Sequence, residues 1–135
     1  MENMKLAVQT ALSNYATFTG RTGRPAFWWW ALSVFLLFAV LNLLDAYFVA
    51  PLLGFDAAVE NAVHPLALLA SLALFLPNVS LGMRRLHDTG RSGWWLLLGA
   101  LPVIGGLVLI YFYVQPSDEG ENAYGPQPVW PPAAP

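Results

Sequence analysis

The chain alternates long apolar stretches with short polar ones. After a polar opening and the turn Thr19–Pro25 (T-G-R-T-G-R-P), an apolar run extends from Phe27 to Ala50 and ends at Pro51 and Gly54. A second apolar run, Leu66 to Met83, opens after Pro65. A third, Trp94 to Val114, carries Pro102, Gly105 and Gly106 in its middle. About 20 apolar residues suffice to cross ~30 Å of hydrocarbon as a helix, so the pattern predicts three spans. The breaker residues leave a second option for the third segment, a re-entrant hairpin that returns the tail to its starting side. Pro77 predicts a kink in the second span.

Residues 3–18 place Met4, Val8, Leu12, Tyr15 and Phe18 at helical spacing, which predicts a short helix on the membrane surface or on the protein's own loops. Residues 115–135 hold six prolines and three acids and are expected to be extended, mobile and polyproline-like. The expected fold is therefore an all-α integral membrane protein in three parts. These are an interfacial helix and turn (1–25), a transmembrane domain (26–114) and a Pro-rich acidic tail (115–135).

Composition strengthens this reading. Hydrophobic residues make up 57% of the chain and charged residues 10%, against roughly 25% charged in soluble domains. The apolar run after Arg24 is too long for a cleaved signal. There is no cysteine, which removes disulfides and thiolate metal sites.

Charge position sets orientation. All six basic residues lie in the N-terminal segment or in the 84–93 loop, so both are expected on the cytoplasmic side. The 51–63 loop, with Asp56 and Glu60, and the acidic tail are expected on the opposite, periplasmic side. No broad basic face exists, so nucleic acid is not an expected partner.

The densest polar cluster is Arg84, Arg85, His87, Asp88 and Arg91, with Arg21 and Arg24 nearby across the interface. Guanidinium forks match phosphate oxygens, so these residues are candidates for binding anionic lipid headgroups or a membrane partner. The bland alternative is positive-inside anchoring with Asp88 paired to an arginine. His87 and Asp88 lack a nucleophile, and the lone Asp88-Thr89-Gly90 lacks the second carboxylate of an aspartic protease. No catalytic residue, metal or cofactor is expected. Within the spans, Asn42 and Ser71 match in depth and are expected to pair across helices. Asp45 is expected to snorkel to the far interface, and Asn78 to serve carbonyls freed by Pro77. Three spans cannot enclose a pathway, so a transporter or channel reading requires an oligomer.

Three blocks, Y-A-T-F-T-G-R-T-G-R-P-A-F-W-W-W, M-R-R-L-H-D-T-G-R-S-G-W-W-L-L-L and D-E-G-E-N-A-Y-G-P-Q-P, resemble the YhaH/YhaI family of small bacterial inner-membrane proteins, domain of unknown function 805. The resemblance covers about residues 12–128. It implies a bacterial inner-membrane location, a helical membrane fold and no established activity. Its signature residues here are Gly20, Arg21, Arg24, Arg84, Arg85, Leu86, His87, Asp88, Gly93, Asn122, Tyr124 and Gly125. Pro25-Ala26-Phe27 stands where the family pattern carries an acid before the first aromatic, so an ion pair from that acid does not transfer.

Overall fold

The computed structural model describes residues 1–55 and 64–132. Asp56 and Glu60 lie outside the described residues. Helix α1 (Glu2–Ser13) precedes α2 (Arg24–Leu44), which continues through a π-helical turn (Asp45–Val49) into the short α3 (Ala50–Leu52). Helix α4 (Pro65–Asp88) follows, then a 3-10 helix (Gly93–Ala100) and α5 (Ile104–Val114). The chain forms two compact units, one of Met1–Trp30 with Leu76–Pro135 and one of Ala31–Phe75.

Two helices are long and apolar enough to cross a membrane, Arg24–Leu52 with 29 residues and Pro65–Asp88 with 24. At 1.5 Å per residue they measure about 44 and about 36 Å, more than ~30 Å of hydrocarbon. Their large apolar side chains face outward. Phe35 is 69% exposed and Leu72 68% exposed. A soluble protein would hide such faces, whereas lipid tails solvate them.

The third apolar segment differs from the expected span. Its 3-10 helix has 8 residues and α5 has 11, so each is about 16 Å long and neither alone covers the hydrocarbon. They form a hairpin. Trp95 meets Phe112 edge-on at 5.5 Å between ring centroids. The reversal falls at Pro102–Val103, where Val103 takes φ 64° and ψ −65°. The Ile104 N–H donates to the Pro102 carbonyl at 2.7 Å, closing a γ-turn of the strained hand. Gly105 is required next to it. A Cβ there would overlap the Leu98 carbonyl oxygen, so only glycine lets the two arms approach.

Helix α1 is shorter than expected and buries a different face. Ala7 and Ala11 are each 1% exposed, one turn apart, while Leu12, Tyr15 and Phe18 remain open. Small residues permit close backbone approach, so the alanine side meets the protein.

In the Ala31–Phe75 unit, Asp45 does not snorkel. It is fully buried, and its carboxylate accepts from the Leu66 N–H at 3.0 Å and the Ala67 N–H at 2.9 Å. A helix N-terminus presents orphan donors and positive potential, and Asp45 supplies the anion to α4. Asp45→Ala is expected to destabilise the protein by about 2 kcal/mol, the upper end for a lost helix cap. Asp45→Asn should fall in between, both read by denaturant titration in detergent. The expected Asn42–Ser71 pair is also absent. Asn42 Nδ2 donates to Phe38 O at 2.7 Å, and Ser71 Oγ to Ala67 O at 2.8 Å. Each polar side chain satisfies itself on a carbonyl of its own helix one turn back.

Candidate functional site

The polar end of the Met1–Trp30 and Leu76–Pro135 unit is built from the last turn of α4, the Gly20–Arg24 turn and the tail. The Pro-rich tail is not free. It folds back across α4, and the Asp118 N–H donates to Asp88 O at 2.8 Å. Its backbone carbonyls become acceptors for arginine. The tail and the 84–93 loop therefore share one end of the unit.

Arg21 uses all five of its guanidinium donors. Nε donates to Asp88 Oδ1 at 3.0 Å, and Nη1 to Gly120 O and Gly125 O at 2.7 and 3.1 Å. Nη2 donates to Asp118 O at 2.6 Å and Asp88 O at 3.4 Å. Arg85 is equally committed. Nε and Nη2 both reach Tyr113 O, at 3.1 and 2.9 Å, and Nη2 also reaches Gln115 O at 2.5 Å. Its Nη1 donates to Asp88 Oδ2 at 2.7 Å and to Thr22 O at 3.5 Å. Arg85 and Asp88 are both fully buried.

Asp88 thus sits between two guanidinium groups, paired with Arg21 and with Arg85, and accepts a further bond from Ser117 Oγ. A buried carboxylate in this position locks both arginines. It is the pairing that the bland alternative named, extended to two partners. Neither Arg21 nor Arg85 has a donor left for an outside phosphate, so the expectation that both bind headgroups directly does not survive.

His87 is held as firmly. Its Nδ1 lies 3.1 Å from Gly20 O, the geometry of a ring N–H donating to a carbonyl. Its ring stacks on Tyr124 at 4.0 Å and an interplanar angle of 2°. Asn122 Nδ2 donates to His87 O at 2.9 Å. Asp88 serves the arginines rather than orienting His87, so the pair is not built as an acid–base relay. Among the described residues no three His, Asp or Glu side chains converge as metal ligands.

The other candidates divide. Arg24 is exposed in the first turn of α2 and spends one 3.4 Å bond on Val114 O. Arg91 lies over the Phe112 ring at 4.2 Å and donates to Thr89 O at 3.4 Å. Arg84 is 5% exposed and its Nε bonds back to Ser80 O at 3.3 Å. Asn78 does not serve carbonyls freed by Pro77; its Oδ1 accepts from Trp30 Nε1 at 2.8 Å. The site residues that sequence reasoning missed lie in the tail: Gln115, Ser117 and Asp118. Only Asp118 had a signal, as the first residue of the third block of the family resemblance; Gln115 and Ser117 lie outside all three blocks.

Comparison with known proteins gives a consistent picture. Residues 15–126 match the family described as "Protein of unknown function (DUF805)". Inner membrane protein YhaH of Escherichia coli (strain K12) is 39% identical over 117 residues, covering 87% of this chain and 91% of the relative. Inner membrane protein YhaI of the same organism is 38% identical over 119 residues, covering 88% and 92%. Uncharacterized protein YiiR, also from that strain, is 27% identical over 135 residues, covering 81% and 84%. No solved structure matches the chain. The match embraces the Arg21 turn, the Arg84–Asp88 helix end and the clamped segment of the tail up to Gly125, and on that extent the chain belongs to the DUF805 family.

Proposed function

We propose that the chain is a non-enzymatic inner-membrane protein whose polar end faces the cytoplasm and engages anionic lipid headgroups through Arg24 and Arg91. The relatives' description as inner membrane proteins and two long outward-facing apolar helices support the location. The positive-inside rule supports the orientation.

The observation that carries the headgroup reading is Arg24. It is exposed at the start of the first long helix, beside Trp28, with a single 3.4 Å bond. Tryptophan favours the headgroup level, and an arginine there reaches phosphate without being stripped of water. Arg91 stands close to the exposed Trp94 and Trp95 and serves the same surface. Self-association or entry into a larger membrane complex would use the open apolar faces of α2 and α4. The transporter reading gains nothing from Asn42 and Ser71, which bond within their own helices.

The test is lipid selectivity. In nanodiscs of mixed phosphatidylglycerol and phosphatidylcholine, native mass spectrometry should show the anionic lipid enriched on the parent chain. Arg24→Gln should lower that enrichment about fivefold, the equivalent of the ~1 kcal/mol that one surface arginine contributes at an anionic membrane. An unchanged ratio would remove Arg24 from the proposal.

A further inference from the structure

Beside the clamped tail lies a cavity of about 510 Å³, within the size range of small-molecule sites. It lies wholly within the Met1–Trp30 and Leu76–Pro135 unit. The tail residues Pro128, Val129, Trp130 and Pro132 form one wall, and Pro25 and Ala26 lie on another. Trp130 Nε1 donates to Asn3 Oδ1 at 3.2 Å, tying the tail wall to α1. Thr17, Thr19 and Thr22 add hydroxyl groups to the lining. The lining contains two arginines, Arg21 and Arg84, and no acid.

These two arginines are unlike. Arg21 is neutralised by Asp88 and has no spare donor. Arg84 has no ion pair among the described residues. Its Nη2 is buried and without a hydrogen-bond partner. A buried guanidinium left in this state is costly, because it loses hydration and gains no compensating anion. An apolar-walled cavity that holds an incompletely satisfied cation is complementary to one kind of molecule.

We propose that this cavity binds an organic oxyanion, a phosphate or carboxylate joined to an apolar body. The oxyanion pairs with Arg84 and accepts from the threonine hydroxyls. The apolar body packs against Pro25, Ala26 and the tail residues Pro128 to Trp130. This site is separate from the lipid-facing Arg24 and Arg91 and stands or falls independently of them. The same chemistry is offered by a bilayer lipid and by a soluble ester.

Calorimetric titration of the delipidated full chain in a neutral detergent tests the proposal with phenyl phosphate as probe. Saturable one-to-one binding is expected. Benzyl alcohol, which lacks the charge, should give none, and inorganic phosphate, which lacks the apolar body, should bind at least about tenfold more weakly. Arg84→Gln should weaken phenyl phosphate about 10- to 100-fold, the span expected for a lost charge-assisted hydrogen bond. Competition by phosphatidylglycerol would identify a lipid as the natural source, and its absence a soluble ester. If Arg84→Gln does not fold, Ala26→Leu, which adds bulk to the apolar wall, should weaken the same titration. Absence of saturable binding by the parent chain, or equal affinity in the variants, would overturn the proposal.

Discussion

Asp88→Ala is expected to lower the unfolding free energy by about 3–5 kcal/mol, the range for breaking a buried ion pair by removing one partner. The reason is the number of groups it orphans. Arg21 and Arg85 would both stay buried without the carboxylate between them, and Ser117 would lose its acceptor. The tail would loosen with them, because Arg21 grips Asp118, Gly120 and Gly125 only while Asp88 holds its Nε. Two readouts check this. Denaturant titration in detergent should show the loss of stability, and limited proteolysis should cut the tail between Ser117 and Gly125 faster than in the parent. Asp88→Asn keeps one acceptor oxygen and should lie in between. A change below about 1 kcal/mol would place the triad among weak surface pairs.

Gly105→Ala is the second large effect. The added Cβ would collide with the Leu98 carbonyl oxygen, which is backbone and cannot rotate away as a flexible side chain can. The hairpin arms must therefore separate, at a cost of about 1–3 kcal/mol for overpacking, or more where backbone has to shift. The consequence travels, because Arg85 reads the far end of α5 through Tyr113 O and Gln115 O. A lowered melting temperature with loss of the Trp95–Phe112 contact is expected, the latter read as a change in near-ultraviolet circular dichroism. Gly106→Ala is the control. A Cβ there would meet nothing within 4 Å, so that variant should melt close to the parent.

Much of the fold could be read from apolar run lengths. The two long helices follow from uninterrupted stretches between Phe27 and Ala50 and between Leu66 and Met83. The hairpin was visible only as an option, since Pro102, Gly105 and Gly106 mark a break without stating whether the chain bends or reverses. What decides it is the contact between Gly105 and Leu98, a tertiary fact. Asp45 shows a different limit. Depth arithmetic placed it near an interface, but its role depends on where the first turn of α4 points. Asn42 and Ser71 matched in depth, yet each had a nearer acceptor one turn back on its own helix, and the local bond won.

The arginine cluster was legible as a cluster, and its internal wiring was not. A Pro-rich segment suggests extended backbone with no internal hydrogen bonds. That inference invites the conclusion that the segment is loose. The same property leaves its carbonyls unspent, and Arg21 and Arg85 spend them. Nothing in the spacing of Arg21, Asp88 and Asp118 announces their meeting, because residues 67 and 97 positions from Arg21 converge on one guanidinium.

That convergence also imposes an order on biosynthesis. A ribosome delivers Arg21 first, Asp88 much later and Asp118 later still, so the nascent chain holds two arginines whose last acceptors do not yet exist. The cluster closes only when the segment from Gln115 to Gly125 has emerged. Until Gln115 to Gly125 are in place, Arg21 and Arg85 keep guanidinium donors without their acceptors, a chemically distinct state from the closed cluster.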